Sequence, residues 1–240
     1  MQNIEELFRK YTDKETFSKI VDFNSVSQMW ENSINTYPNN EAIVDVYLAK
    51  IPISDNFSAV FPPDRQNEIE SITSEKVKRE KYYAWKLLEY GLLNTFNKKI
   101  TDINFEKQTT GKWSCNACEF SISHSNNVVC VAISKSPVGV DIEKIQPTPI
   151  DISKEILSKE ELNDYNALNS DKKTSFIISA WTKKESLFKQ KNIKHLSREE
   201  FRNLTGIVSK KTIYIGNDIY SLSIATDATD KIRIYEGINL

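Results

Sequence analysis

Hydrophobic positions along the chain follow two rhythms, and the changes between them mark its elements. Ile4, Leu7, Phe8 and Tyr11 recur at helical spacing in a polar stretch, so residues 1–40 are expected to form a helical N-terminal extension. Residues 35–40, which contain Pro38, read as a linker. The apolar run at 42–48 predicts a strand, and Pro62-Pro63 closes the loop after it. Residues 75 to about 97 predict a long helix that begins rich in lysine and then carries Trp85, Leu87, Leu88, Leu92 and Leu93. Strand composition follows at 103–105, 119–123 and 128–134, with Asn126-Asn127 placed to turn a hairpin. Another strand spans 138–143 and is ended by Pro147 and Pro149. Helices are expected at about 153–168 and 171–191, then strands near 211–215, 219–225 and 231–236.

The order strand, helices, strands thus occurs twice, once from about residue 41 and again from about 137. No close residue-level repeat accompanies it. Runs of strands and helices without strict alternation favour an α+β fold over a doubly wound sheet. The expected organisation is an extension over 1–40, a first α+β half over 41–136 and a second over 137–240.

Composition narrows the chemistry. At 240 residues, 39% hydrophobic and 27% charged, the chain has the make-up of a soluble globular protein. A net charge of -1 gives no basic field for nucleic acid. No apolar run reaches the ~20 residues that cross a bilayer. The first residues are charged and unlike a signal peptide, so a cytoplasmic location is expected. With 6 glycines and no Gly-x-Gly, the chain lacks the glycine-rich backbone that cradles phosphates in nucleotide-binding loops. A phosphate would have to be met by Lys, Arg, His or a metal.

Three segments carry candidate chemistry. In the strand Val138–Glu143, alternation puts Val138, Val140 and Ile142 on one face and Gly139, Asp141 and Glu143 on the other. Two carboxylates two positions apart repel each other, and a hard divalent cation would relieve that. The same pattern also suits a strand with one wet face. In Trp181-Thr182-Lys183-Lys184-Glu185-Ser186-Leu187-Phe188-Lys189, the residues Ile177, Ala180, Trp181, Lys184 and Phe188 form a mostly apolar stripe. Glu185 and Lys189 are four apart and face each other on a helix. They read either as a third carboxylate beside a phosphate-binding lysine or as a solvated salt bridge. In Phe120-Ser121-Ile122-Ser123-His124-Ser125, imidazole and hydroxyls gather at a strand end, where a phosphate or plain solvent would suit them. His195 lacks such company and is expected at the surface.

Taken together, Ile122-Ser123-His124-Ser125, Gly139-Val140-Asp141-Ile142-Glu143-Lys144 and Trp181–Lys189 resemble the surfactin-type phosphopantetheinyl transferase family in kind and order. The resemblance covers about residues 41–226. It implies two similar α/β halves in a pseudo-twofold arrangement, acting as a monomer, with the active site between them. It implies transfer of the 4′-phosphopantetheine arm of coenzyme A to a serine of an apo acyl or peptidyl carrier protein, with release of 3′,5′-ADP. By the same resemblance, Asp141, Glu143 and Glu185 would hold Mg²⁺, and Lys189 would neutralise the diphosphate. His124, beside Ser123, would meet the 3′-phosphate of the adenosine. Glu185 would accept the serine proton. Lys112, in Gly111-Lys112-Trp113, matches a family Gly-Lys-Pro segment with Trp in place of Pro. The helix start around Lys78, Arg79 and Lys81, and then Lys86, matches a basic helix that grips the 3′-phosphate.

Two other readings use the same residues. A metal-dependent nuclease would also need strand carboxylates and a helical lysine, but the neutral charge and absence of a basic aromatic stripe oppose it. A non-catalytic binder of coenzyme A or carrier would not need the carboxylate set. Separately, Cys115-Asn116-Ala117-Cys118 is a lone Cys-x-x-Cys, with Cys130 and His124 nearby in sequence. A structural zinc needs four ligands, so free thiols are expected.

Overall fold

The computed structural model describes residues 43–53, 57–147, 151–227 and 231–240; the expected helical extension over 1–40 lies outside them. The described chain is an α+β fold with two principal sheets, each backed by one long helix.

Strand β1 (Ile43–Lys50) sends Val44, Val46 and Leu48 to one face and Asp45, Tyr47 and Ala49 to the other. All six are buried, which explains its nearly unbroken apolar sequence. A short helix α1 (Pro63–Glu70) starts on Pro63, whose missing N–H is harmless in a first turn. Sequence periodicity predicted only the end of a loop there. Helix α2 (Glu75–Phe96) is capped by Ser74, which accepts from the Val77 amide, and ends on left-handed Asn97. A 3₁₀ turn (Ile100–Asp102) follows, and the strand expected at 103–105 begins only at Phe105. Strand β2 (Phe105–Lys107) then pairs with β3 (Trp113–Cys115) in a separate two-stranded hairpin.

Strands β4 (Glu119–Ser125) and β5 (Val128–Ser134) form the expected hairpin. Asn126 and Asn127 both have positive φ, the conformation a tight two-residue turn demands. The first sheet runs β4-β5-β1-β9, its last member β9 (Lys231–Ile238) lying parallel to β1. Arg233 of β9 donates through Nε and Nη2 to Asp45 at 2.6 and 2.7 Å, so a fully buried carboxylate is met by a two-pronged partner. Thr95 of α2 donates to the same carboxylate.

The second sheet runs β6-β8-β7, from β6 (Gly139–Lys144), β7 (Ile207–Ile215) and β8 (Asp218–Thr226). Between β6 and β7 lie α3 (Ser153–Ile156), α4 (Lys159–Ala167), α5 (Ser170–Gln190) and α6 (Arg198–Arg202). The helix expected over 153–168 breaks at extended Leu157. The cause is Ser158, which forms a reciprocal capping box with Glu161 and starts a new helix.

Packing puts the sheets at the centre and the long helices outside. Tyr47, Ala49, Val129, Val131 and Ile133 meet Trp85, Leu88 and Leu92 of α2. Val44, Val46, Leu48, Val128 and Cys130 meet Val138, Val140, Ile142, Leu222 and Ile224 of the second sheet. The outer face of the second sheet is small and polar instead: Gly139, Asp141, Ser221 and Ser223 lie toward α5. Thr182 of α5 bonds Ser221 and Ser223 at 3.0 and 2.9 Å. Lys184, in the stripe read as mostly apolar, has no exposed surface. It is tolerated because its three N–H groups are used: it donates to the Ile156 carbonyl, the Glu161 carboxylate and, at 2.6 Å, the Arg202 carbonyl. Among the described residues no helix is long and apolar enough to cross a membrane.

The two sheets are joined edge to edge by serines. Ser121, Ser123 and Ser125 of β4 accept from the amides of Val140, Ile142 and Lys144 of β6 at 3.0, 3.3 and 3.2 Å. Side-chain oxygens thus replace a backbone ladder, and alternation keeps all three on one side of β4.

Two predictions follow from this packing. A Cβ at Gly139 would overlap the Ser186 carbonyl and stand 2.5 Å from the Gln190 amide, both rigid helix backbone. At Gly91 it would meet the tip of Ile133, 2.6 Å away, which can turn aside. Urea denaturation should show Gly139→Ala losing about 3 kcal/mol or more and Gly91→Ala about 1 kcal/mol. Ser121→Ala strands the buried Val140 amide and should cost about 1–3 kcal/mol in the same assay.

Candidate active site

The Phe-Ser-Ile-Ser-His-Ser sequence divides β4 into two working faces. Its serines bond toward β6, whereas Phe120, Ile122 and His124, together with Ser121, line a cavity. The cavity has a volume of about 320 Å³. Its walls come from α2 (Lys81, Ala84, Trp85), the β2–β3 loop (Thr110 to Trp113), β4, and the end of α5 with the turn after it (Phe188, Lys189, Asn192, Ile193). Arg65 of α1 closes it. Aromatic and aliphatic surfaces thus sit beside four cationic side chains and an imidazole.

The cationic groups are held rather than loose. Arg65 is buried, pairs with Glu68 at 3.0 Å and lies over the Trp85 ring at 5.0 Å. Its Nε is buried without a partner. Burial pushes the Lys112 ammonium below its ordinary pKa; it donates to the Lys189 carbonyl at 3.3 Å. Lys81 approaches Glu68 at 3.6 Å. His124 stands 3.8 Å from Glu80. Burial lowers its pKa and Lys189 and Lys81 add to that, while Glu80 opposes them.

Beyond β4 the hydroxyls reach carboxylates. Ser123 donates to Asp141 Oδ1 at 2.7 Å, and Ser125 donates to Glu143 Oε2 at 2.7 Å. Each serine therefore accepts a β6 amide and orients a β6 carboxylate. Lys189 also donates to Asp141 Oδ1 at 2.7 Å and to the Val140 carbonyl. Helical spacing made Glu185 its natural partner, but the α5 face that carries Lys189 lies against β6, so the ammonium meets Asp141. Burial raises the pKa of Glu185; Lys189 lowers it and the Asp141 charge raises it further. Glu143 is raised by burial too, then lowered by Ser125 and raised by Asp141 and Glu185.

Among the described residues, no group of three His, Cys, Asp or Glu side chains is gathered closely enough to cage a metal. The donor set nonetheless suits a hard divalent cation. Among the described residues Asp141 Oδ2 is buried with no partner, and the Asp141 charge raises the proton affinity of both Glu143 and Glu185. Mg²⁺ needs no full protein cage; it keeps waters and takes one or two carboxylates plus substrate phosphate.

The structure therefore brings together Ser123, Asp141 and Lys189 by direct contact, with Glu143 and Glu185 electrostatically coupled to Asp141. Lys81, Lys112, His124 and Lys189 share one cavity. Lys86 is elsewhere: it pairs with Glu89 at 2.7 Å and lines a different hollow with Tyr90, Leu93 and Leu240. Arg79 is half-buried and does not line the cavity, and Lys78 lies over the Phe57 ring. His195 is exposed. Sequence reasoning missed Arg65, which no motif announces. It also missed the bridging role of Ser121 and Ser125, although their two-residue period was a signal.

Comparison with known proteins bears on the same segments. The family described as the 4′-phosphopantetheinyl transferase superfamily matches residues 137–222. The chain is similar to 4′-phosphopantetheinyl transferase Sfp of Bacillus subtilis (strain 168), with 38% identity over 94 residues, covering 38% of this chain and 42% of the relative. A second relative, 4′-phosphopantetheinyl transferase ffp of Bacillus subtilis, is 38% identical over 94 residues, 37% of this chain and 41% of the relative. A third, 4′-phosphopantetheinyl transferase gsp of Aneurinibacillus migulanus, is 33% identical over 104 residues, 43% of this chain and 44% of the relative. The chain spans less than half the length of the curated relatives it matches. The family resemblance is borne out: the carboxylate strand and the Trp-Thr-Lys-Lys-Glu helix both lie inside a segment that matches the 4′-phosphopantetheinyl transferase superfamily, while the Ile122-Ser123-His124-Ser125 motif lies before it.

Proposed function

We propose that the protein transfers the 4′-phosphopantetheine arm of coenzyme A to a serine of an apo acyl or peptidyl carrier protein and releases 3′,5′-ADP. The observation that carries this reading is the position of Lys189, which lines the basic cavity and binds Asp141 of the carboxylate strand. A nucleotide seated in the cavity would deliver its diphosphate to the carboxylates across that one side chain. The half-buried ring of Trp113 suits an adenine, and Arg65, Lys81, Lys112 and His124 suit its phosphates.

Asp141, Glu143 and Glu185 would hold Mg²⁺, which supplies Lewis-acid charge at the diphosphate. Lys189 adds a point charge on the same oxygens, fixed in direction by Asp141 and the Val140 carbonyl. Ser123 and Ser125 hold two of the carboxylates in place. Glu185 is assigned to the carrier serine's proton by the family resemblance, directly or through a water; a bound cation would offset the rise that burial gives its proton affinity. His124 would stabilise the adenosine 3′-phosphate, and the phosphate would offset the burial that now disfavours its charged form. Lys86 and Arg79 are left out of the site. We further propose that the chain works as a cytoplasmic monomer built of two related halves, β1–β5 with α2 and β6–β8 with α5.

Mass spectrometry of several unrelated apo carriers, incubated with coenzyme A, Mg²⁺ and this protein, should reveal a pantetheine adduct on serine. Chelation should abolish it, and Asp141→Asn or Lys189→Met should lower the rate about 100-fold or more. Full activity of Asp141→Asn would sink the metal assignment; no adduct on any carrier would sink the transfer itself.

The carboxylates also predict a pH effect. Glu143 and Glu185 hold protons more tightly folded than unfolded, so the unfolded chain holds fewer protons above the ordinary carboxyl range. Their contribution to stability therefore falls as pH rises through their folded pKa values. His124 and Cys115, whose pKa values are lowered, act in the opposite direction, so the effect is read by difference: on going from about pH 5 to about pH 8, metal-free Glu143→Gln should gain melting temperature relative to the parent chain, and Mg²⁺ should raise the parent's melting temperature more at the higher pH. Glu143→Gln should shrink that Mg²⁺ effect; an unchanged effect would contradict the ligand role.

A further inference from the structure

Cys115 and Cys118 stand apart from the chemistry above. Their sulfurs are 3.7 Å apart, and the Cys115 thiol donates to the Cys118 carbonyl at 3.3 Å. A disulfide is about 2.05 Å long, so closing it requires an approach of roughly 1.7 Å, within reach of side-chain rotation. Both residues are half-buried, whereas Cys130 is fully buried. The hydrogen bond between the two thiols lowers the Cys115 pKa and raises that of Cys118, which makes Cys115 the attacking member of the pair.

Their place in the fold gives the pair a task. Cys115 ends β3, and Cys118 immediately precedes β4. The β2–β3 hairpin belongs to neither large sheet, and isolated two-stranded hairpins are marginal. The same hairpin carries Lys112 and Trp113 into the cavity. We propose that Cys115 and Cys118 are a reversible dithiol–disulfide couple that fastens the β2–β3 hairpin to β4, with a low-molecular-weight disulfide as oxidant. The Cys115 thiolate attacks one sulfur of that disulfide, forming a mixed disulfide and releasing one small thiolate. Cys118 then gives up its proton and attacks the Cys115 sulfur, releasing the second. Two protein thiols are oxidised, one small disulfide is reduced, and both protons end on the released thiols. Transient couples of this kind are the usual form of disulfide in reducing compartments.

The test is to equilibrate the full chain in thiol–disulfide buffers of graded potential, count free thiols and measure intact mass. The count should fall from three to one with loss of two hydrogens, and dithiothreitol should restore it. Fragmentation should place the link between positions 115 and 118. Hydrogen exchange of residues 105–115 should slow in the oxidised form. Cys118→Ala should stop at a mixed disulfide on Cys115. Three free thiols at the most oxidising potential, a link to Cys130 or to a second chain, or unchanged hairpin exchange would each overturn the proposal.

Discussion

The serine contacts between β4 and β6 are the constraint on which the site depends. Two sheets meet there without a shared backbone ladder, and three hydroxyls supply the missing acceptors. A hydroxyl oxygen can accept and donate at once, which a carbonyl oxygen in a backbone ladder cannot. Ser123 and Ser125 use that second capacity to aim Asp141 and Glu143. The joint between the sheets and the orientation of the acidic groups are therefore one set of bonds. Shifting β4 by one residue would bring Ile122 and His124 to the joint and leave buried amides unmatched.

A second theme is charge held in an uncomfortable state. Glu143 and Glu185 are raised by burial and by the neighbouring Asp141, whose second oxygen has no partner. One lysine serves all three carboxylates. This differs from Asp45, which is equally buried yet met by the full fork of Arg233. Asp45 is satisfied and holds strands together; Asp141 is under-satisfied and suited to receive a cation. Burial alone does not separate these two carboxylates, but the count of partners does.

Most of the secondary structure was legible because its signals are local. Strand composition marked β5, alternation marked β6, Asn126-Asn127 marked a turn, and the leucines of α2 marked a helix. The errors have local causes as well. The capping box at Ser158 split one expected helix, and the short α1, α6 and β3 lack a periodic run long enough to read. The Asp141, Glu143, Glu185 and Lys189 grouping was legible as two motifs in order, with the Ser-His-Ser segment before them. The direction of Lys189 was not, since helical spacing favours Glu185 and only the face packed on β6 selects Asp141. Arg65 was invisible for a different reason: its neighbours Glu68 and Trp85 make it a cavity wall, and that depends on how α1 folds over α2. Lys86 sits four residues from Tyr82 and five from Lys81 but turns to another hollow, a matter of helical phase.

The parallel pairing of β1 with β9 has a consequence for how the protein is made. Asp45 and Arg233 are separated by 188 residues, and neither has its bidentate partner until both are present. On a ribosome, β1 emerges early with one edge open and a buried-type carboxylate unpaired. The second sheet and α5 must be synthesised before β9 can close that edge. Long-range contacts of this kind slow folding because chain closure precedes the reward. The first sheet is thus begun first and finished last, and truncation after β8 would leave it with an exposed edge and an unneutralised charge at Asp45.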